Sequence, residues 1–207
     1  MSRPPLSRES IFETALHLVD AHGIGALTMR RLAAEMGVGT MSLYSHVPNK
    51  DDLLDGVVGT VAGEIGVAPV GSDWRQAVRH MLSEFRRVAR RHPNVVPLMV
   101  TRPPASTQGM NLVEAGFDHL RRAGVDEKTM ARAYRLVVSY AIGFVSLETG
   151  GFFSSAGPAA MDRARESERF PTVAGVAPYL IEWDAEEEFR AGIDIILDYI
   201  SGHTADG

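Results

Sequence analysis

Apolar residues recur along most of the chain with the spacing of three or four residues that is typical of a helix, and no stretch alternates as a half-buried strand would. The first of these stripes lies between Ser7 and Gly23. Glycine readily adopts the left-handed backbone that ends a helix, so the pattern predicts a helix that starts near Ser7 and stops at Gly23. Its apolar stripe consists of Ile11, Phe12, Ala15, Leu16, Leu18 and Val19.

Two shorter helices are predicted next, over residues 28–36 and 40–45. Thr28 can cap the first of them, and Gly37 can end it. A pair of short helices joined by a tight turn is the geometry of a helix-turn-helix, in which the second helix can project into a major groove. The positions with the spacing of an inward face are Leu32, Ala33, Met36, Val38 and Leu43.

A longer and very regular stripe follows Asn49, which together with Asp52 resembles a capping box. The helical pattern then breaks at residues 66–72, a segment that contains proline and glycine. We therefore expect one helical unit at residues 1–66 and a second at residues 73–207. The apolar positions of the longer stripe are Leu53, Leu54, Val57, Val58, Val61, Ala62 and Ile65.

The second unit also shows helical periodicity. A helix that starts near Trp74 cannot continue past His92, because Pro93 follows. A mobile, glycine-rich connection is expected at residues 150–158, with a short helix near 159–168. The other predicted segments are a turn region at 101–109 and helices over about 106–123, 126–148 and 184–201. The fold class is thus predicted to be all-α.

Composition narrows the classes of protein that this sequence can be. The chain has 207 residues, 45% hydrophobic and 23% charged, which is ordinary for a globular protein. The absence of cysteine excludes disulfides, thiolate nucleophiles and cysteine-based metal sites. No apolar run approaches the length of about 20 residues that a membrane span needs, so we expect a cytoplasmic protein with no membrane partner. The net charge of −5 argues against coating nucleic acid by bulk charge, but it permits a small local DNA-binding face.

Sequence signatures of catalysis are missing. The chain contains no nucleophile elbow, phosphate-binding loop, dinucleotide-binding glycine motif or zinc-protease motif. Its 7 histidines are scattered and form no pair at the i, i+4 spacing that converges on a metal ion. We therefore expect no catalytic residues, no metal and no cofactor, and an enzyme would be favoured only if turnover of a metabolite appeared.

The second short helix carries side chains suited to DNA. Small hydroxyls, a phenol, an imidazole and a methionine can contact base edges and phosphates, and none of them is needed for solubility alone. A helical hairpin with an ordinary polar surface is the alternative. The outward positions are Thr40, Met41, Ser42, Tyr44, Ser45 and His46.

The region from Ile11 to Leu54 resembles the TetR family of bacterial transcriptional repressors. It has an apolar first helix, then Gly-x-x-x-Leu-Thr-Met-Arg-Arg-Leu-Ala, Gly-Val, Leu-Tyr-Ser-His-Val and Asn-Lys-Asp-Asp-Leu-Leu-Asp. Residues 73–150 resemble the tetracycline-repressor branch more weakly, through Asp73-Trp74, Phe85-Arg86-Arg87 and Thr101-Arg102-Pro103. The resemblance implies an N-terminal three-helix helix-turn-helix DNA-binding unit followed by a helical ligand-binding and dimerisation domain.

The resemblance also implies which side chains contact a double-stranded DNA operator. We expect Tyr44 and Lys50 to contact phosphates, because a phenol and a cation beside a helix N-terminus form a good anion site. Base edges are assigned to Arg30, Thr40 and Ser42. Ser45 stands where the tetracycline branch has a large aromatic residue, so the operator preference should differ. The full expected set is Thr28, Arg30, Thr40, Met41, Ser42, Tyr44, His46 and Lys50.

A small-molecule effector is implied for the second domain. Its methionine and phenylalanine side chains are either plain core or the lining of a cavity. Arg102 either meets a polar group of the ligand or caps helix carbonyls. Residues 53–66 and 94–100 contain no histidine, whereas the tetracycline branch holds drug and magnesium with histidines there, so we expect an apolar effector without magnesium. The expected ligand-binding set is Met81, Phe85, Met99, Arg102, Met110, Phe117 and Phe144.

The resulting hypothesis is a ligand-responsive repressor that a small apolar effector releases from a near-palindromic operator. A homodimer is expected through the apolar helices at about 127–149 and 185–201, since the first of them has more apolar circumference than one core face needs. The alternative is a helical small-molecule-binding or chaperone-like protein that does not bind DNA.

Overall fold

The computed structural model describes residues 6–69, 71–165 and 169–202, and all the regular elements in these ranges are helical. The predicted all-α class is confirmed. A 3-10 turn lies at Ile24–Ala26 and a π-helical turn at Phe152–Ala156. The α-helices are α1 Arg8–His22, α2 Met29–Met36, α3 Thr40–Tyr44, α4 Lys50–Gly63, α5 Trp74–Arg91, α6 Val96–Thr101, α7 Thr107–Arg122, α8 Glu127–Thr149, α9 Gly157–Arg165, α10 Pro171–Ile181 and α11 Ala185–Ser201.

The chain forms two compact units, one that ends at Arg122 and one that starts at Ala123. The first contains α1 to α7, and the second contains α8 to α11. Residues 66–72, where we expect the domain boundary, form the connection between α4 and α5 inside the first unit. The domain division at this connection stays a prediction.

Helix α4 lies at the centre of the first unit, where it contacts α1, α5, α6 and α7. Its close approach to α1 depends on Gly56, because a Cβ atom there would overlap the ring of Phe12. The stripes predicted on α1 and α4 supply much of the buried core, with α2, α3 and their flanking residues. Its fully buried side chains include Ile11, Val19, Leu27, Leu32, Leu43, Val47, Leu53, Val57 and Val61.

Capping residues begin several of these helices at the predicted places. The Thr28 hydroxyl accepts a hydrogen bond from the Arg31 amide at 3.1 Å. The Asn49 side chain accepts one from the Asp52 amide at 2.8 Å. Gly37 ends α2 with a φ of 61°, in the left-handed region that a glycine adopts without strain. Local sequence signals therefore mark both ends of α2 and the start of α4.

Two helices were not expected from the sequence. Helix α6 has only six residues, too few to show a periodicity, and Pro97 lies in its first turn. Helix α10 starts with one proline and contains another, Pro178, which read as breaks rather than as a helix. The predicted turn region at 101–109 is wrong at its first residue, because Thr101 ends α6, and it gives way to α7 at Thr107, where the helix over about 106–123 was predicted.

The connection at residues 150–158, for which mobility stays a prediction, begins with a turn at Gly150 and Gly151 and is helical from Phe152 onward. It forms the π-helical turn and then enters α9 at Gly157. The short helix predicted near 159–168 corresponds to α9, and residues 166–168 lie outside the described part of the chain.

Helices α8 and α11 pack together in the second unit through aromatic side chains. The Tyr140 ring stacks on Phe189 with centroids 5.5 Å apart, and its hydroxyl donates to the Phe189 carbonyl at 3.0 Å. Gly192 makes room for this tyrosine, since a Cβ atom there would overlap the ring. Phe144 joins the cluster at 5.0 Å from Phe189.

Among the described residues, no single helix is both long and apolar enough to cross a membrane. The pair formed by Glu127–Thr149 and Phe152–Arg165 satisfies length and composition only when taken together across a bend of 52°.

Candidate DNA-binding surface and effector site

Helix α3 has one buried side chain and an exposed face that carries Met41, Ser42 and Tyr44. Leu43 is fully buried and fastens the helix to the core. Met41, by contrast, is 80% exposed, and Ser42 and Tyr44 are exposed beside it. Thr40 is half-buried at the N-terminal end. The face predicted to contact DNA is therefore presented to solvent by a helix held from behind.

The turn between α2 and α3 is tight because Gly37 takes the left-handed conformation. The Gly37 amide donates to the Ala34 carbonyl at 3.1 Å, and the Val38 amide donates to the Ala33 carbonyl at 3.0 Å. These bonds use carbonyls at the end of α2 that would otherwise lack partners. The chain can then start α3 only a few residues later in a new direction.

Three further predicted DNA contacts, Thr28, Arg30 and Lys50, lie at or next to helix N-termini and are exposed. Thr28 and Arg30 stand at the start of α2, where the Thr28 hydroxyl also serves as the cap. Lys50 is the first residue of α4. The free amides of a helix start beside a cation form a site for one phosphate oxygen.

Arg8 ties the end of the α3 region to the start of α4, and sequence reasoning missed it. Its guanidinium donates to the His46 carbonyl at 2.6 Å and to Asp52 Oδ1 at 2.8 Å. It also lies 5.1 Å from the centre of the Phe12 ring. The hydrogen bond to Asp52 raises the pKa of Arg8 above its ordinary value. This link brings half-buried His46 next to the helix that carries Lys50.

Of the predicted effector residues in the first unit, Met99 is buried, and Met81, Phe85 and Phe117 are half-buried. Met110 is mostly exposed. Met81 packs close to Gly116 of α7, where an added Cβ atom would lie 3.3 Å from its Cε. Phe144 belongs to the second unit. The ligand role of this set stays a prediction.

Arg102 was expected either to meet the ligand or to cap helix carbonyls, and neither expectation included its carboxylate partners on α4. Its guanidinium donates to Asp55 Oδ1 at 2.5 Å and to Asp51 Oδ1 at 2.6 Å. It also donates to the Asp51 carbonyl at 3.2 Å, so the proposed role as a partner of helix carbonyls is present in the first turn of α4. The bonds to Asp51 and Asp55 raise the pKa of the Arg102 guanidinium. Arg102 thus connects the end of α6 to the helix that begins with Lys50.

A groove of about 870 Å³ lies between α1, α4 and residues 105–108 of the first unit. Its walls carry Phe12 and the carboxylates of Glu9, Glu13 and Glu64. None of the predicted effector-binding residues lines it.

Replacement of Lys50 by alanine should weaken binding to every DNA sequence and reduce the slope of log affinity against log salt by about 1, because one phosphate contact is lost. Ser42→Ala should instead cost about 1–3 kcal/mol on the preferred operator and relax the choice of base. Fluorescence anisotropy over a salt series measures both effects. The chain has one other lysine, exposed Lys128 in the second unit, and Lys128→Ala is the matched control. An unchanged salt slope for Lys50→Ala would contradict the placement of α4 on DNA.

Comparison with known proteins agrees with this geometry. Residues 11–57 match the family described as bacterial regulatory proteins, tetR family. Residues 68–202 match the tetracyclin repressor-like C-terminal domain. The two matches together cover the helix-turn-helix and the helices that follow it.

Individual relatives show the same relationship. The chain is 29% identical to the transcriptional repressor DrrR1 of Streptomyces coeruleorubidus, over 95% of this chain and 77% of that protein. It is 32% identical to the class D tetracycline repressor of Escherichia coli, over 54% of this chain and 56% of that one. The crystal structure of ActR from Streptomyces coelicolor in complex with actinorhodin superposes with a TM-score of 0.83, at 29% identity, over 96% of this chain and 98% of that chain.

Proposed function

This chain belongs to the TetR family of bacterial regulatory proteins, and we propose that it represses transcription from a near-palindromic operator until a small apolar molecule releases it. It is a ligand-responsive DNA-binding regulator. The observation that carries the proposal is the face of α3, where Met41, Ser42 and Tyr44 are exposed while Leu43 is buried. We place its action in the cytoplasm, where operator DNA lies, and assign it no catalytic step.

Contacts with DNA are divided between the two ends of the helix-turn-helix. Thr40 and Ser42 face base edges together with Arg30, and Tyr44 and Lys50 contact phosphates. Thr28, Met41 and His46 complete the surface. The supporting facts are the exposure of most of these side chains and the Arg8 link that holds residue 46 beside α4.

A homodimer would place two such surfaces on one operator. Helix α8 exposes Leu136 and Leu147, and α11 exposes Ile195. Gly143, between the two leucines, has open space above it, so a second helix can approach closely. Two helix-turn-helix units related by a twofold axis match an operator whose half-sites lie about one turn of the DNA helix, or a multiple of it, apart.

The effector is proposed to be an aromatic, polycyclic and mainly apolar molecule. This class is supported by the buried or half-buried side chains of Met81, Phe85, Met99 and Phe117 in the first unit. It is also supported by ActR, which is similar over nearly the whole chain and binds actinorhodin. The segments that hold drug and magnesium in the tetracycline branch contain no histidine here. We therefore propose release without a metal ion.

The route from effector to DNA is proposed to pass through α6. Arg102 at its end is bonded to Asp51 and Asp55 of α4, beside Lys50. A ligand can shift the protein only as far as it binds the two conformations with different affinities. Movement of α6 would then carry the start of α4 with it and misplace the DNA contacts.

Selection of genomic fragments by the purified full chain tests the DNA-binding half of the proposal. Enriched fragments should share one near-palindromic sequence upstream of a gene. Failure of every fragment to bind would favour a helical ligand-binding protein without a DNA partner.

Titration of the protein–operator complex with actinorhodin, and with tetracycline in the presence and absence of magnesium, tests the effector half. We expect an aromatic polycycle to release the operator without magnesium, lowering affinity by about 5–150-fold, the usual range of allosteric coupling. Fluorescence anisotropy of labelled operator reports the release. Release by tetracycline only when magnesium is present would contradict the proposed chemistry of the site.

A further inference from the structure

The C-terminal ends of three helices in the first unit meet at one buried side chain, that of His92. This residue follows α5 directly, and its side chain is only 7% exposed. Its Nδ1 atom lies 2.7 Å from Asp20 Oδ2 in the last turns of α1. Its Nε2 atom lies 3.2 Å from Oε2 of Glu64, the residue that ends α4. One ring therefore bridges two carboxylates from two different helices.

Hydrogen-bond chemistry constrains the charge of this ring. An ionised carboxylate only accepts, and a neutral imidazole donates through one nitrogen while the other presents a lone pair. A neutral His92 would thus direct its lone pair at either Asp20 or Glu64. The imidazolium donates through both nitrogens and satisfies both neighbours.

The charged groups around the ring favour the same state. Asp20 faces it from α1, Glu64 from the end of α4, and Arg91 of α5 reaches Glu64 Oε2 at 3.0 Å. Asp20, Glu64, Arg91 and the ring sum to zero formal charge with an imidazolium and to −1 with a neutral ring. Arg87, which donates to the Glu64 carbonyl at 3.3 Å, is paired with Glu84 and leaves this sum unchanged. The ends of α1, α4 and α5 also present the negative pole of the helix dipole. Within the described residues, Asp20 Oδ1 is buried without a hydrogen-bond partner, so His92 is the group that compensates this carboxylate.

We propose that His92 is a positioning residue, held as the imidazolium, that joins α1 and α4 to the corner where α5 gives way to α6. Asn94 supports the junction, because its side-chain amide donates to the carbonyls of Val19 and Asp20 at 3.1 and 3.0 Å. Residues 92–94 therefore fasten the end of α1 with two side chains. Arg8 of α1 bonds both the chain just after α3 and Asp52 of α4. The junction therefore sets the orientation in which α3 meets DNA. This consequence for DNA rests on the proposed function.

Nitrogen-15 NMR of the full chain tests the charge state directly. At neutral pH both ring nitrogens of His92 should appear as N–H groups that couple to their own protons. His92→Gln identifies the signals, and exposed His22 on the same helix end as Asp20 serves as an internal reference. A His92 ring with one N–H and one bare nitrogen would overturn the proposal.

Thermal unfolding measures the bridge without DNA. His92→Phe and Asp20→Asn should each lower the melting temperature by several degrees. The melting temperature of the double variant should be no lower than that of the less stable single variant. Additive losses would overturn the bridge. Should His92→Phe fail to fold, His92→Gln carries the same cycle, because its neutral amide removes the positive charge between the two carboxylates.

Operator binding distinguishes a positioning role from a contact with DNA. His92→Gln should weaken operator affinity by about tenfold and leave the salt slope unchanged, because no phosphate contact is lost. The control His22→Gln should bind like the wild type. Unchanged affinity for His92→Gln would overturn the positioning role. If the wild type bound no fragment at all, the proposed function would fail, while NMR and unfolding would still decide the bridge.

Discussion

Replacing Ile195 with arginine is expected to disrupt the proposed homodimer, leaving monomers, and to weaken operator binding at least a hundredfold. Ile195 is 72% exposed on α11, whereas Ile193 and Ile196 beside it are buried. A cation at this position would lie in the proposed interface and would have to lose its water there. Two linked helix-turn-helix units bind about 10²–10⁴-fold more tightly than one through avidity, and a monomer loses this increase in affinity.

The exposure of Ile195 makes this variant informative about the interface. An arginine there meets solvent in the single chain, so circular dichroism should show an unchanged helical content. Light scattering after size exclusion gives the mass, and anisotropy gives the affinity. Val67→Arg, at an exposed valine between α4 and α5, is the matched control and should remain dimeric. A dimer that survives Ile195→Arg would place the interface away from this face of α11.

The ends of the helices were the most predictable part of this fold. Gly23, Gly37 and Gly124 all have a positive φ, and each stands where the apolar periodicity stops. Periodicity also places Leu43 inward and Met41 outward, because both positions follow from the spacing along a helix. Helices α6 and α10 were not predicted because their prolines read as breaks. Proline is tolerated in the first turn of a helix, where Pro97 and Pro171 lie, whereas Pro178 lies inside α10.

The links between helices could not be predicted. Arg8 and its partner Asp52 are 44 residues apart, and Arg102 and Asp51 are 51 apart. Such pairs depend on which faces meet in the folded chain, and a charged residue on a solvated face leaves no periodic signal. Pro93 predicts that α5 stops at His92, but nothing in the sequence indicates that the ring meets Asp20.

Arg102 provides the most direct test of how effector binding would change the affinity for DNA. Arg102→Ala removes the bonds that join the end of α6 to Asp51 and Asp55. Both carboxylates are largely exposed, so the cost in folding stability should be small, about 1 kcal/mol or less. The expected result is a protein that still folds but no longer transmits the effector signal.

Two separate effects on DNA are expected from Arg102→Ala. Operator affinity should fall about tenfold, because Asp51 becomes an uncompensated negative charge next to Lys50 and the phosphates. Adding Asp51→Asn should recover much of this loss. The response to the compound that releases the wild type should fall from about 5–150-fold to less than about twofold in both variants, since the link itself is absent.

The comparison of these variants separates the charge of Asp51 from the mechanical link. Arg102→Lys keeps the positive charge but cannot bond two carboxylates with one rigid fork, so affinity should be largely retained while the response is reduced. Anisotropy titrations of labelled operator with and without the compound measure both quantities in one experiment. A full effector response in Arg102→Ala would show that the signal reaches α4 by another route, and α6 would then lose its proposed role.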